Sequence, residues 1–335
     1  MSAFLDSMIA QAKQEKKTIV LPEGNDERTL KAAEKALADG LANLIILGDV
    51  DAIKASGYKL DGAQIIDPKN SEYEDEFTDM FYELRKKKGM TPEKARETIK
   101  DETYFGVMMV KTGRAQGMVS GACHSTADTL RPSLQIIKTA PTAKLVSSFF
   151  VMVVPDCEFG YNGTFVFSDC GLNVQPSAEE LAYIGLDAAA SFKSITGAEP
   201  VVAYLCHSSY GSAKNDDQAK VAEAVKIAKE TDASVLLDGE LQLDAAIVPS
   251  VGASEAPGSP VAGKANVLVF HDIDAGNIGY KLVQGAEPAC NQCCLRQCQA
   301  KQTFWYSPTL TQATLVTSWF SALLRPKHMA LSLKA

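Results

Sequence analysis

Short apolar runs alternate with amphipathic helical segments along most of the chain, and this alternation constrains the fold more than any other feature. The runs TIVLP, NLIILG and AQIID each precede a segment with helical periodicity, and the order recurs at GMVSG. Because strands buried on both faces suit a parallel sheet covered by helices, the pattern predicts an α/β fold. A chain of 335 residues is long enough for two such domains.

A second unit with the same alternation begins after Pro141, at the apolar run KLVSSFFVMVV. We therefore predict two three-layer α/β domains with mostly parallel sheets, at residues 1–142 and 143–284, followed by an atypical tail at 285–335. Paired domains of this kind place a ligand cleft between them, so an interdomain cleft is the predicted site.

The composition favours a small-molecule partner. A net charge of -8 disfavours non-specific binding to nucleic acid and to anionic membranes. The N-terminus lacks the apolar run of a signal peptide, and the uncharged segment at 309–324 is too short and too polar to span a membrane. The cysteines before the tail occur singly among apolar residues, which is typical of buried, reduced thiols and predicts a cytoplasmic protein.

The composition changes abruptly at residue 285. The tail has Glu287 as its acid and five basic residues, for a net charge of +4, which leaves -12 on the residues before it. Half of the chain's eight cysteines lie between Cys290 and Cys298. A zinc site would need a second Cys or His pair close by, so we predict no metal there.

The segment GMVSGACHSTADTLRPSLQIIK carries the strongest signal for ligand binding. Ser125 and Thr126 stand where a helix starts, and Asp128 and Arg131 lie in its first turns. Free N–H groups at a helix N-terminus bind anions, hydroxyls add donors, and an arginine can add a charged fork. The segment predicts a phosphate or carboxylate site.

Structural roles are the alternatives for the same residues. Ser125 could serve only as the helix cap, and Arg131 could pair with an acid. His124 is open to either interpretation, because a lone histidine is often structural. The run FYELRKKKG is equally ambiguous: Arg85 and the three lysines after it could attract a polyanion or simply complement the C-terminal end of a helix.

A third candidate segment lies near residue 275. Asp272, Asp274 and Gly276 are predicted to form a loop before a helix, in which Gly276 lets backbone approach a ligand and Asn277 and Tyr280 form hydrogen bonds to it. Ordinary strand-to-helix turn chemistry is the alternative.

Seven segments together resemble, in order and spacing, the phosphate acetyltransferase family. They are TIVLPEGNDERTLKAA, FYELRKKKGMTPEKA, MVSGACHSTADTLRPSLQIIKT, VPDCEFGYNGTFVFSDCGLN, DGELQLDAAI, APGSPVAGKANVLVF and DIDAGNIGYKL. The resemblance extends from residue 1 to about residue 284. Phosphate butyryltransferases share the general plan but match these segments less closely.

The resemblance implies a fold of the isocitrate and isopropylmalate dehydrogenase type and a homodimer. It also implies reversible acetyl transfer between coenzyme A and inorganic phosphate, with coenzyme A as a substrate and no bound cofactor or metal. On the family's pattern, Arg131 holds phosphate or stabilises the oxyanion, Ser125 and Thr126 lie near the phosphate, and Arg85 binds coenzyme A. The remaining candidate substrate contacts are His124, Asp128, Gly276, Asn277 and Tyr280.

The tail departs from the family. Family members carry an Asn-Asp-Leu-Ser-Arg-Gly segment there, followed by an aspartate that takes the thiol proton, whereas residues 285–335 contain no aspartate. We interpret the tail as translation of a shifted reading frame and expect reduced turnover. Two alternatives stay open, a phosphate butyryltransferase and a catalytically inactive relative that only binds coenzyme A.

Overall fold

A computed structural model of the chain describes most of the residues before the tail and two short strands within it. The described ranges are 3–139, 143–154 and 156–289, with the backbone alone from 286, and the backbones of 301–306 and 314–317. The cysteine cluster from Cys290 to Cys298, and the prediction that it holds no metal, lie outside the described residues.

The chain divides into two compact units. The first contains residues 3–139 and the strand at 314–317, and the second contains residues 143–154, 156–289 and the strand at 301–306. The domain boundaries drawn from the sequence, and the cleft expected between the domains, stay predictions.

The first unit alternates helices with short strands. Its strands are β1 (Thr18–Leu21), β2 (Asn43–Leu47), β3 (Gln64–Ile66) and β4 (Gly117–Ser120). Its helices are α1 (Ala3–Gln14), α2 (Glu27–Ala38), α3 (Val50–Ala55), α4 (Glu74–Arg85), α5 (Pro92–Ile99), α6 (Glu102–Lys111) and α7 (Thr126–Ile136).

Helices cover both faces of the first sheet. Leu30 of α2 shares a buried cluster with Ile19, Leu44 and Ile46 of the strands. On the opposite face, α6 comes so close to β1 that a Cβ on Gly106 would lie 3.2 Å from Val20. Alternate residues of β1 therefore face different helices, as the predicted three-layer arrangement requires.

The second unit has two strands before its first helix. Its strands are β5 (Ser148–Val153), β6 (Thr164–Ser168), β7 (Val201–Leu205), β8 (Leu236–Leu241) and β9 (Val267–Val269). Its helices are α8 (Ala178–Thr196), α9 (Asp216–Thr231), α10 (Leu243–Ile247), α11 (Pro249–Glu255) and α12 (Ile273–Ala289).

The tail contributes one edge strand to each sheet. Strand β10 (Lys301–Tyr306) pairs antiparallel with β5, and β11 (Thr314–Thr317) pairs parallel with β4. No secondary structure is assigned from the sequence after residue 284. Both are short runs rich in β-branched or aromatic residues, which form strands when an unpaired edge is available.

The strand order confirms the α/β class with mostly parallel sheets. The first sheet has the order β11-β4-β1-β2-β3, and all its pairs are parallel. The second has the order β10-β5-β6-β9-β7-β8, and β5 is antiparallel to both of its neighbours. The connection at 154–163 is too short for the crossover that parallel neighbours need, so β6 returns antiparallel to β5.

Helix starts follow the local sequence signals. Thr91 accepts a hydrogen bond from the Lys94 N–H at 3.3 Å and Pro92 takes the first helical position, so both residues mark the start of α5. Ser177 and Glu180 form a capping box at the start of α8. None of the described helices has the length and apolarity that a membrane span requires.

Close packing of α8 on β7 generates a stability prediction. Tyr204 is fully buried and donates a hydrogen bond to the Ala182 carbonyl at 2.9 Å, and a Cβ on Gly185 would lie 2.1 Å from its hydroxyl oxygen. Gly185→Ala should lower the free energy of unfolding by about 1–3 kcal/mol, because the tyrosine must shift. Urea denaturation measures the change.

Gly285→Ala is the matched control. A Cβ on Gly285 meets no atom within 4 Å among the described residues, and this glycine also lies in a helix. The control should be neutral or stabilising by up to about 1 kcal/mol. Equal stability of Gly185→Ala and the parent would refute the proposed packing.

Candidate active site

The carboxylate of Glu23 organises the loop that carries the predicted anion site. Glu23 lies two residues after β1 and is completely buried. Its oxygens accept hydrogen bonds at 2.9–3.2 Å from four successive backbone N–H groups, those of Gly121, Ala122, Cys123 and His124. The loop between β4 and α7 is therefore wrapped around an internal anion.

His124 adds a side-chain hydrogen bond to the same carboxylate. Its Nδ1 lies 2.8 Å from Oε1 of Glu23. Burial acts to raise the pKa of Glu23, but hydrogen bonds from Cys123, Ala122 and His124 outweigh it and hold this pKa below its usual value. An ionised carboxylate only accepts, so Nδ1 donates and a neutral imidazole presents Nε2 as an acceptor. The side chain of His124 is 25% exposed.

A cation is a poor occupant of this loop, although the ligating atoms of Glu23, Cys123 and His124 lie within 4.8 Å of one another. The Glu23 oxygens already accept hydrogen bonds from the loop. Burial and the nearby Glu23 charge raise the pKa of the Cys123 thiol to about 11. Because a thiolate is the form that binds metal and attacks carbonyls, Cys123 is suited to neither role at neutral pH.

Ser125 and Asp128 cap helix α7 together. The Ser125 hydroxyl donates to Oδ2 of Asp128 at 2.6 Å and accepts from the Asp128 N–H at 3.2 Å. The Ser125 hydrogen bond lowers the pKa of Asp128. The structural alternative for Ser125 is thus observed, and ligand roles for Ser125, Asp128 and the exposed Thr126 stay predictions.

The two predicted anion-binding arginines both lie near Tyr104 of α6. Burial raises the pKa of the Tyr104 hydroxyl, and the positive charges of Arg131 and Arg85 act in the opposite direction. The Tyr104 hydroxyl donates to Gln135 at 3.3 Å. Arg131 is exposed on α7, whereas Arg85 is half-buried at the end of α4. Residues distant in sequence thus form one cationic region.

Arg85 also has an unused donor. Its Nε is buried and has no hydrogen-bond partner among the described residues. A buried guanidinium N–H without an acceptor is unfavourable, so an anionic ligand would stabilise it. The neighbouring lysines differ, because Lys86 pairs with Glu83 and all three are exposed in a short 3-10 turn.

Glu102 is half-buried in the first turn of α6. Burial and the neighbouring Asp101 raise the pKa of Glu102. The positive charge of Arg131 adds to the Ser125 hydrogen bond in lowering the pKa of Asp128. Six predicted site residues therefore lie in one part of the first unit: Arg85, His124, Ser125, Thr126, Asp128 and Arg131.

The other three predicted site residues lie on α12 in the second unit. The helix begins at Ile273, so Asp274 and Gly276 are helical and the predicted loop is wrong there. The reason is that Asp272 accepts the Ala275 N–H at 2.8 Å and so caps the helix earlier than expected.

Close contacts attach α12 to its own unit. A Cβ on Gly276 would lie 2.6 Å from the Asp169 carbonyl oxygen, and Asn277 donates to the Cys170 carbonyl at 3.2 Å. The ring centroid of Tyr280 lies 4.2 Å from the ring centroid of Phe150. The ligand roles of Gly276, Asn277 and Tyr280 stay predictions.

Acids of the segment DGELQL form a buried network in the second unit. Asp238 accepts from Lys229 at 2.8 Å and from Ser259 at 2.6 Å, and the Tyr210 hydroxyl also donates to it. Glu240 accepts from Ser208 at 3.1 Å. Both carboxylates are buried with partners, so removal of a partner would leave an uncompensated buried charge and destabilise the fold around β8.

Three residues at the site were not identified from the sequence: Glu23, Glu102 and Tyr104. Glu23 is part of TIVLPEGND, where an acid directly after a buried strand could have indicated a partner at the neighbouring strand end. Tyr104 and Glu102 lie in a helical segment whose periodicity gives no sign of a ligand.

Comparisons with known proteins agree on one family. Residues 3–291 match the family described as Phosphate acetyl/butaryl transferase. A phosphate acetyltransferase of Thermoanaerobacterium thermosaccharolyticum is 57% identical over 284 residues, which cover 84% of this chain and 87% of that protein. One of Acetivibrio thermocellus is 56% identical over 284 residues, covering 84% of this chain and 86% of that protein. The structure of a phosphotransacetylase from Streptococcus pyogenes superposes with a TM-score of 0.80 at 39% identity, covering 92% of this chain and 91% of that one.

Glu23→Gln should destabilise the protein in a pH-dependent way. The amide replaces one acceptor with a donor that faces backbone N–H groups, so the free energy of unfolding should fall by about 1–3 kcal/mol at neutral pH. Because folding lowers the pKa of Glu23, its stabilisation is complete above the unfolded pKa and is lost as the pH falls through the folded one. Urea denaturation at pH about 7 and about 3 should show the parent and variant converging in acid.

Glu97→Gln is the control, because that carboxylate is 82% exposed and contacts only Lys100, at 3.7 Å, among the ion pairs of the described residues. It should match the parent at both pH values. A Glu23→Gln deficit of the same size at both pH values would contradict the proposed role of the ionised carboxylate.

Proposed function

The chain belongs to the Phosphate acetyl/butaryl transferase family, and we propose that it transfers an acetyl group reversibly between coenzyme A and inorganic phosphate. The names of its phosphate acetyltransferase relatives support acetyl as the transferred group. Coenzyme A is a substrate in this proposal, and no cofactor takes part.

The observation that carries the proposal is the cationic region around Tyr104. Both substrates are anionic, since acetyl phosphate and coenzyme A carry phosphate groups, and guanidinium groups bind phosphate through paired hydrogen bonds. The positive charges of Arg131 and Arg85 both act to lower the pKa of the Tyr104 hydroxyl group. The buried Nε of Arg85 has no acceptor among the described residues. We assign Arg85 to coenzyme A and Arg131 to the acetyl phosphate.

The proposed chemistry is direct transfer. The thiol of coenzyme A loses its proton, the sulfur attacks the acetyl carbonyl, and the carbon–oxygen bond to phosphate breaks. Arg131 stabilises the charge that develops on the carbonyl oxygen and the leaving phosphate. Thr126 and Ser125, at the start of α7, contribute donors near the phosphate. A covalent acyl-Cys123 intermediate is disfavoured, because the raised pKa keeps that thiol protonated.

The tail limits the activity in this proposal. Residues 285–335 lack the serine, arginine and aspartate of the family segment, and the family match ends at residue 291. We propose that the tail is read in a shifted frame and that turnover is reduced as a result. Following the resemblance, the protein is proposed to be a cytoplasmic homodimer, with ligand contacts from Gly276, Asn277 and Tyr280 of the second unit.

The activity itself can be measured with the full chain beside the Thermoanaerobacterium relative. Acetyl-coenzyme A formation from acetyl phosphate should be detectable and exceed the rate with butyryl phosphate. Turnover should be about 10²–10³ times lower than the relative's, the usual effect of removing a donor that stabilises an oxyanion. Faster reaction with butyryl phosphate would identify a butyryltransferase, binding of coenzyme A without any turnover would indicate an inactive binder, and turnover equal to the relative's would refute the impairment.

Arg131→Ala should lower kcat/KM for acetyl phosphate. Loss of charge-assisted hydrogen bonds of about 1.5–3 kcal/mol predicts a roughly 10- to 100-fold fall in kcat/KM for acetyl phosphate. Stability in urea should not change, since Arg131 is exposed. Arg96→Ala, which removes an exposed arginine paired with Glu74 and Asp75, should leave the kinetics at the parent value. Parent-like kinetics in Arg131→Ala would remove this arginine from the site.

A further inference from the structure

We propose that His124 is the residue that takes the thiol proton of coenzyme A, with Glu23 as the residue that positions it. This inference rests on the proposed acetyl transfer and adds a proton path to it. It concerns residues of the first unit only. The tail contains no aspartate, so no residue there corresponds to the aspartate that the family's pattern assigns to this step.

Orientation of the imidazole is the main argument. Nδ1 of His124 lies 2.8 Å from a carboxylate oxygen of Glu23, which is completely buried and held by four backbone N–H groups. That carboxylate cannot turn away without breaking the loop. It therefore fixes both the ring and its tautomer, and Nε2 is the nitrogen left to accept a proton.

Other groups around the loop are less suited to accept the proton. The carboxylate of Glu23 is enclosed by its donors, the Cys123 thiol is protonated, and Asp128 is held in the capping box with Ser125. The ionised Glu23 carboxylate, 2.8 Å from Nδ1, stabilises the imidazolium formed during transfer.

The proton balance of the reaction suits a single histidine. The S–H bond breaks as Nε2 takes the proton, the sulfur forms a bond to the acetyl carbon, and the bond from that carbon to the phosphate oxygen breaks. The leaving phosphate oxygen then receives the proton from Nε2. His124 returns to its neutral form, and coenzyme A and acetyl phosphate become acetyl-coenzyme A and hydrogen phosphate.

The chain offers a matched control in a second Cys-His-Ser sequence. Cys206, His207 and Ser208 repeat the residue order of Cys123, His124 and Ser125. Nδ1 of His207 lies 3.5 Å from the Cys206 sulfur, similar to the 3.8 Å between His124 and Cys123. Unlike His124, His207 forms no ion pair with a carboxylate among the described residues.

Substitutions separate proton transfer from a structural role. In His124→Asn the amide can replace Nδ1 as the donor to Glu23, but no group replaces Nε2. The full chain carrying this change should lose about 10²–10⁴ in kcat, with little change in KM for coenzyme A. His124→Gln should lose a similar amount, and His207→Asn should stay at the parent value. Parent-like kcat in His124→Asn would show that the ring serves only as a donor to Glu23 and would overturn the proposal.

Labelling of the parent chain tests the same site without requiring turnover. Diethyl pyrocarbonate acylates accessible neutral imidazole, and mass spectrometry reports each histidine separately. Coenzyme A at saturation should slow acylation of His124 at least tenfold, desulfo-coenzyme A should protect it less, and His207 should react equally with and without ligand.

The labelling outcomes also separate this inference from the proposed function. Failure of coenzyme A to bind would overturn both. Binding of coenzyme A with unprotected His124, or equal protection by the ligand without the thiol, would overturn the proton path alone and leave the acetyltransferase assignment intact.

Discussion

The hydrogen bonds between the buried carboxylate of Glu23 and the loop after β4 are the interaction on which the candidate site depends. They join the ends of two neighbouring parallel strands, because Glu23 follows β1 and its donors follow β4. They also determine where α7 begins and how His124 is oriented. A buried carboxylate without hydrogen-bond donors would be strongly destabilising, and so would four buried N–H groups without an acceptor. The carboxylate and the four N–H groups therefore stabilise one another.

The second unit uses the same kind of interaction. Asp169, which follows β6, is buried and accepts the N–H groups of Ser148, Gly171 and Leu172 at 2.9–3.1 Å. In both units, backbone donors at a strand end are therefore satisfied by an internal anion. The loop amides are thus already occupied, so the proposed function assigns external anions to the side chains of Arg85 and Arg131.

The sequence predicted the start of helix α7 better than it explained the roles of the residues there. Helix α7 starts at the predicted position, yet Ser125 is engaged with Asp128, so its signal came from capping chemistry as well as from a possible ligand. The three lysines after Arg85 are exposed, whereas the Nε of Arg85 is buried and has no partner among the described residues. The start of α12 was misplaced, since the capping by Asp272 depends on a conformation that residue spacing does not reveal.

The sequence alone determined the α/β class, the order of most helices and strands, and the family, because periodicity, capping signals and motifs are local properties of the chain. Only the tertiary structure decided that Glu23 contacts residues about 100 positions away, that the charges of Arg85 and Arg131 both act on Tyr104, and that β5 is antiparallel to its neighbours. These pairings depend on which strands become neighbours and on which buried charges find partners. The packing of the whole unit sets these relations, and local signals such as a short connection or an acid after a buried strand do not specify which residues become partners.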